Sequence, residues 1–218
     1  MIKLLDLLKE EKLDILKPRR SGEERQQNYA IATQKKIEQY MKDGGKGDLD
    51  LRNTPITTLP NDLTVGGYLN LNDTKITSLP NDLTVGGNLD LRNTPITSLP
   101  NDLTVGGYLD LYGTKITSLS NDLTVGGDLY LQNTPITSLP NGLTVGGYLH
   151  LSNTQITSLP NNLTVGSNLY LGNTPITTLP NNLKVGGNLN LSNTPISKKY
   201  SEEEIRKMVP GVKGNIYT

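Results

Sequence analysis

The chain has no cysteine, no tryptophan and no phenylalanine, and one histidine among its 218 residues. Those absences remove disulfide frameworks, thiolate metal sites, cysteine nucleophiles and histidine clusters from the chemistry open to it. An excess of either charge is missing too. Basic and acidic residues balance at 21 each, so bulk electrostatics gives no reason to expect nucleic acid or an anionic membrane as partner. Long apolar runs are also absent. The N-terminal MIKLLDLLKEEKLDILKPRR carries Ile2, Leu4, Leu5, Leu8, Leu13, Ile15 and Leu16, but Asp6 and Lys9 interrupt them. A secretion signal needs an unbroken apolar region, and a spanning helix needs about 20 apolar residues. The expectation is a cytoplasmic protein without cofactor or metal. Residues 2–17 read as an amphipathic helix ended near Pro18, packed on the N-terminal end of the fold or serving as a contact arm.

What the chain has instead is repetition. A twenty-residue unit, typified by NDLTVGGYLDLYGTKITSLS from Asn101 to Ser120, is written seven times between about Gly47 and Gly186 and begins an eighth. In the fourth unit the apolar positions are Leu109, Leu111, Ile116, Leu119, Leu123 and Val125. The alternation around Leu109 and Leu111 predicts a short strand with both leucines inward and Tyr108, Asp110 and Tyr112 outward. Stacked units then lay equivalent strands side by side as a parallel sheet, about 4.8 Å apart. Strand markers at Leu49, Leu69, Leu89, Leu109, Leu129, Leu149, Leu169, Leu189 and Ile216 predict nine strands.

Three invariant or nearly invariant columns read as structural. Gly66, Gly86, Gly106, Gly126, Gly146, Gly166 and Gly186 never vary, which requires either a positive φ or a neighbouring backbone passing close. Asn53, Asp73, Asn93, Gly113, Asn133, Asn153, Asn173 and Asn193 are restricted to residues that tolerate left-handed geometry. Thr54, Thr74, Thr94, Thr114, Thr134, Thr154, Thr174 and Thr194 form a column without exception. It predicts a hydroxyl ladder that satisfies buried turn backbone, where an unpaired group costs about 1–3 kcal/mol.

Ile76, Leu79, Pro80 and Leu83, followed by Leu89, Leu91, Thr94 and Ile96, make a pattern that resembles the short bacterial type of leucine-rich repeat. The resemblance covers about 150 residues, with two departures: Thr where the family usually has an Asn ladder, and V-G-G where another leucine is common. The V-G-G variant is similar to repeat proteins encoded by bacteriophages. The resemblance implies a leucine-rich-repeat solenoid with a parallel β-sheet on the concave side and an irregular convex side. It implies no activity, because fold is weak evidence of function.

Open stacks need caps. Ser21 to Glu24 and Ser201 to Glu204 each fit a capping box, and Tyr200 with Ile205 fits a hydrophobic staple. Helices are expected at about 22–42 and 201–208, giving α-helical caps at both ends. The expected organisation is an N-terminal cap over 1–46, the solenoid over 47–197 and a helix-strand cap over 198–218. Leu-Pro, which disfavours helix, punctuates every return segment except the fourth, where Ser120 replaces Pro.

The outward strand positions are where the repeats differ. The first column reads Asp48, Tyr68, Asn88, Tyr108, Asp128, Tyr148, Asn168, Asn188; the second Asp50, Asn70, Asp90, Asp110, Tyr130, His150, Tyr170, Asn190; the third Arg52, Asn72, Arg92, Tyr112, Gln132, Ser152, Gly172, Ser192. Six of the ten tyrosines and the single histidine fall on this face. Tyr provides contact area at low entropic cost, and Tyr and Arg are enriched at binding hot spots. Strand propensity alone also favours Tyr, and the alternation of Tyr68, Tyr108 and Tyr148 points to duplication of a two-repeat unit. The candidate binding residues are Tyr68, Asp90, Arg92, Tyr108, Asp110, Tyr112, Tyr130, Tyr148, His150 and Tyr170.

Catalysis finds little support. Asp90 and Asp110 should be neighbours, and paired carboxylates can divide acid and base roles, but two solvated strand aspartates is the better reading. His150 between Tyr130 and Tyr170 resembles a contact patch, and no phosphate-binding loop is present. The leading expectation is a non-enzymatic protein, monomeric alone, that binds a protein partner on its concave face. The phage-like resemblance implies a host target such as a defence component. Capture of a small nucleotide or sugar between tyrosines, with Arg52 or Arg92 on a charged group, and a host-surface recognition module are the alternatives.

Overall fold

The computed structural model describes residues 22–218. The amphipathic segment expected at 2–17 and the capping serine expected at position 21 lie outside those residues. The first element is α1 (Gly22–Lys42), whose Ile37 is fully buried against the first repeat. Sixteen two-residue strands follow, alternating between two sheets as far as β15. Strands β1 (Leu49–Asp50), β3 (Leu69–Asn70), β5 (Leu89–Asp90), β7 (Leu109–Asp110), β9 (Leu129–Tyr130), β11 (Leu149–His150), β13 (Leu169–Tyr170), β15 (Leu189–Asn190) and β16 (Ile216–Tyr217) pair in that order into a nine-stranded sheet. Register is exact to the repeat, with Leu109 opposite Leu129 and Asp110 opposite Tyr130. The nine markers read from the sequence are the nine strands.

The return side is more ordered than an irregular crossing. Its Thr-Val and Lys-Val pairs, from β2 (Thr64–Val65) through β4 (Thr84–Val85), β6 (Thr104–Val105), β8 (Thr124–Val125), β10 (Thr144–Val145) and β12 (Thr164–Val165) to β14 (Lys184–Val185), form a second parallel sheet of seven strands. The valine points inward and is buried, while the preceding residue is largely solvent-facing. Among the described residues no helix occupies the seven return segments that carry β2 to β14. Between the two sheets the six apolar columns form one continuous core, with all six residues of the fourth unit buried.

The invariant glycines are explained by close approach. A Cβ on Gly86, Gly106, Gly126, Gly146, Gly166 or Gly186 would overlap the carbonyl oxygen of the equivalent glycine one repeat earlier, and none of these residues has a positive φ. The turn column does need left-handed backbone: its seven Asn and Asp residues have φ of 56–61° and Gly113 has 69°. Each Thr hydroxyl donates to the carbonyl of the Leu three residues earlier, as in Thr114 Oγ1 to Leu111 O at 2.8 Å. The bond stays inside one turn, so the column is a stack of separate turn locks and not a ladder linking repeats.

At the C-terminal end the repeat becomes a cap. Thr194 keeps its bond to Leu191 and also accepts from the Ser197 N–H as the N-cap of α2 (Pro195–Lys199), with Pro195 in the first turn. This helix was not foreseen. Its signal was the loss of Leu-Pro after Thr194-Pro195-Ile196. Then α3 (Glu202–Met208) opens with the expected Ser201–Glu204 capping box, buries Ile205, and lies against β16. Val212 bridges to Val185 and Ile216 pairs with Leu189, so the cap continues both sheets.

Candidate binding face

The exposed side of the nine-stranded sheet is built from the three outward columns. In the first column, Asp48, Asn88, Asp128, Asn168 and Asn188 each accept, through Oδ1, the backbone N–H of the residue at the same position in the following strand, at 2.7–2.9 Å. In the second column, Asp50, Asn70, Asp90, Asp110 and Asn190 accept the N–H two residues ahead, at 2.9–3.2 Å. These acidic and amide residues are therefore part of the scaffold as well as of the face. Asx alternates with Tyr in the first column as far as Asn168, and Asn188 then repeats the bridge to Asn215 in the C-terminal cap.

The aromatic residues brought together by this register form an unbroken chain. Ring centroids of Tyr68 and Tyr108 lie 6.2 Å apart, Tyr108 and Tyr130 6.2 Å, Tyr130 and His150 6.4 Å, and His150 and Tyr170 4.9 Å, with Tyr148 6.3 Å from Tyr170. Three of the five contacts are edge-to-face, a favoured geometry for ring quadrupoles. Tyr148 and Tyr112 are the most open, at 39% and 37% exposure; the others are half-buried. Tyr112 has no ring partner among the described residues. Tyr217, which the sequence reading left out of the face, extends it on β16 beside Asn190 and is 47% exposed.

Polar contacts fix the rings. Tyr130 Oη donates to Asp128 at 2.9 Å, and burial followed by that carboxylate pushes its pKa up to about 12. Asn168 Nδ2 donates to Tyr170 Oη at 3.0 Å. His150 Nδ1 is buried without a hydrogen-bond partner among the described residues, and burial lowers the imidazole pKa, which favours the neutral ring. Asp128 and Asn168 were not singled out from the sequence. The available signal was the Asx–Tyr alternation, read there as inheritance.

Asp90 overturns the expectation of a solvated aspartate. Its register partner is Asp110 as expected, but its side chain is wholly buried. Arg92 grips it through Nε at 2.9 and 3.0 Å and Nη2 at 2.6 Å, and Tyr68 Oη donates to it at 3.0 Å. This fork holds Arg92 charged, while burial, then Tyr108 and Asp90, raise the Tyr68 pKa. Asp110 differs: Arg92 Nε reaches it only at 3.5 Å, and burial raises its carboxyl above the usual range. The two aspartates thus have different environments, and no group of three or more His, Asp and Glu among the described residues could hold a metal ion.

No protein-family model matches the chain, and no curated protein is significantly similar to it. Among solved structures, the leucine-rich-repeat domain of a Shigella effector matches with a TM-score of 0.58 at 16% identity, covering 86% of this chain and 87% of that one. The fold is a leucine-rich-repeat solenoid. A leucine-rich-repeat protein of Leptospira interrogans aligns at 19% identity over 77% of this chain and 83% of its own, but its TM-score of 0.28 carries no argument. Identity this low speaks to the fold alone. No helix among the described residues is long and apolar enough to cross a membrane.

Proposed function

We propose that the protein is a non-catalytic binding module that takes a protein partner on its nine-stranded face, centred on Tyr108, Tyr112, Tyr130, Tyr148 and His150. The observation that carries this reading is the continuous chain of six rings from Tyr68 to Tyr148 on a platform whose backbone is pinned strand by strand. Rigid, half-buried aromatic residues with open neighbours match the composition of protein-binding hot spots. A small anionic ligand is favoured less, because both face arginines are already engaged, Arg92 by Asp90 and Arg52 by Asp50 at 3.0 Å. The further reading of a phage-encoded protein that blocks a host factor in the host cytoplasm rests on the V-G-G repeat resemblance.

The test compares capture by the parent chain, by Tyr130→Ala and by Tyr148→Ala from a bacterial lysate, alongside thermal unfolding. Truncating a central anchor costs about 2 kcal/mol or more of binding. Both variants should lose captured protein while the unfolding transition is kept. Unchanged capture by both, with loss on removal of residues 1–20, would place the working surface at the N-terminal segment instead.

A further inference from the structure

Charge on the face is one-sided even though the chain is neutral. The outward columns carry Asp48, Asp50, Asp90, Asp110 and Asp128 against Arg52 and Arg92 alone. The two arginines are taken up by Asp50 and Asp90. Asp110 keeps only the 3.5 Å contact to Arg92 Nε, and no described residue forms an ion pair with Asp128. These two under-neutralised carboxylates flank one aromatic ring. Tyr130 stands opposite Asp110 in strand register and hydrogen-bonds Asp128 two residues before it. Tyr108 meets the same ring edge-to-face at 6.2 Å, and the exposed Tyr148 follows on the next strand.

Resting on the binding-face reading above, we infer that the partner docks through an arginine-bearing segment whose guanidinium lies over Tyr130 between Asp110 and Asp128. The chemistry is complementary in three respects. The ring face carries negative quadrupole density that attracts a cation. The flanking carboxylates supply acceptors for the planar fork of a guanidinium, which stacks on aromatic faces and is more weakly hydrated than an ammonium. Both cations of the outward columns, Arg52 and Arg92, are already engaged and do not stand free to repel it. Burial of Asp110 works in the same direction, since a carboxylate held ionised in a poorly solvated position gains more from an incoming cation than an exposed one does.

The array itself provides clean variants. Asn88 and Asn168 accept the same cross-strand N–H as Asp128, and Asn70 and Asn190 accept the same turn N–H as Asp110. The double variant Asp110→Asn with Asp128→Asn therefore removes two charges and keeps both backbone hydrogen bonds. The probes are a short fluorescent peptide of alternating glycine and arginine and its counterpart with neutral, near-isosteric citrulline, titrated against the full chain by anisotropy. The arginine peptide should bind, the citrulline peptide should bind about tenfold more weakly or worse, and the double variant should lose about tenfold for the arginine peptide. Asp122→Asn, an exposed return-side control, should bind like the parent. Equal binding of both peptides, no binding of either, or parent-like affinity of the double variant would each overturn the proposal. The two readings separate cleanly in the lysate experiment. If Tyr130→Ala loses the captured protein and the double variant keeps it, the face binds but its partner is not cationic; if both keep it, both readings fall.

Discussion

Thr114 shows how a residue's chemistry is set by its place in the turn. Its hydroxyl donates to Leu111 O at 2.8 Å, and its own N–H donates to the same carbonyl at 3.1 Å. Thr114→Val removes one of two donors, so the carbonyl is not orphaned. The loss should be about 1 kcal/mol, the net value of one hydrogen bond, read as a lower denaturation midpoint; an unchanged midpoint would mean the hydroxyl contributes nothing. Asp110 makes the opposite case. Its folded pKa is raised above the unfolded value of about 3.9, so its favourable contribution is full below about pH 4 and lost as pH rises through the folded value. At pH 7 the ionised group therefore costs stability. Asp110→Asn should raise the thermal midpoint at pH 7 and do so less at pH 4, and a fall at pH 7 would show that the Arg92 contact outweighs burial. At this scale the turn Asn and Thr columns were legible, because each has one geometric requirement repeated eight times. The burial of Asp90 was not, because it depends on Arg92 folding back and Tyr68 reaching across from the preceding strand.

A forty-residue period is superposed on the twenty-residue repeat as far as residue 175. Asx and Tyr alternate in the first column; Pro55, Pro95, Pro135 and Pro175 alternate with Lys75, Lys115 and Gln155, whose N–H groups bond Ile56, Ile96 and Ile136 of the preceding unit. Proline sits where that donor is not used. The single exception among the second glycines follows the same period. Placing a Cβ on Gly67, Gly107, Gly147 or Gly187 would strike the Oδ1 of the bridging Asx, whereas at Gly87 and Gly127 it meets the preceding glycine's backbone at 2.8 and 2.9 Å. Ser167 belongs to the second class, since the first-column residue of the unit before it is Tyr148. Gly127→Ser, the change the array already carries at Ser167, should accordingly cost less than Gly147→Ser, because the latter also displaces Asp128 from the Tyr148 N–H. Equal thermal midpoints for the two would contradict the double repeat. The sequence carried this period openly in its tyrosines and prolines, but its cause is a hydrogen bond between units, which spacing alone does not reveal. The second sheet was missed because each return strand offers one inward valine, whereas the face strands carry a Leu-x-Leu alternation.

In the whole molecule each unit touches mainly its neighbours, so stability should behave as a chain of local terms with a cap at either end. The aromatic centre lies on β7, β9 and β11, far from both ends, where fraying is least. The C-terminal cap rests on Ile205, fully buried between α3 and the last strands, with Arg206 Nη2 donating to Gly214 O at 3.0 Å. Ile205→Ala should cost about 2–5 kcal/mol locally through lost burial and the cavity left behind. In a globular core that loss would be shared by the whole domain. Here it should fall on the terminal units: amide exchange should quicken in β13, β15 and β16 while β5 and β7 keep their protection, and capture of a partner through Tyr130 should persist. Exchange that quickens evenly from β1 to β16 would show that the array unfolds as one cooperative body and that the position of the aromatic centre gives it no shelter.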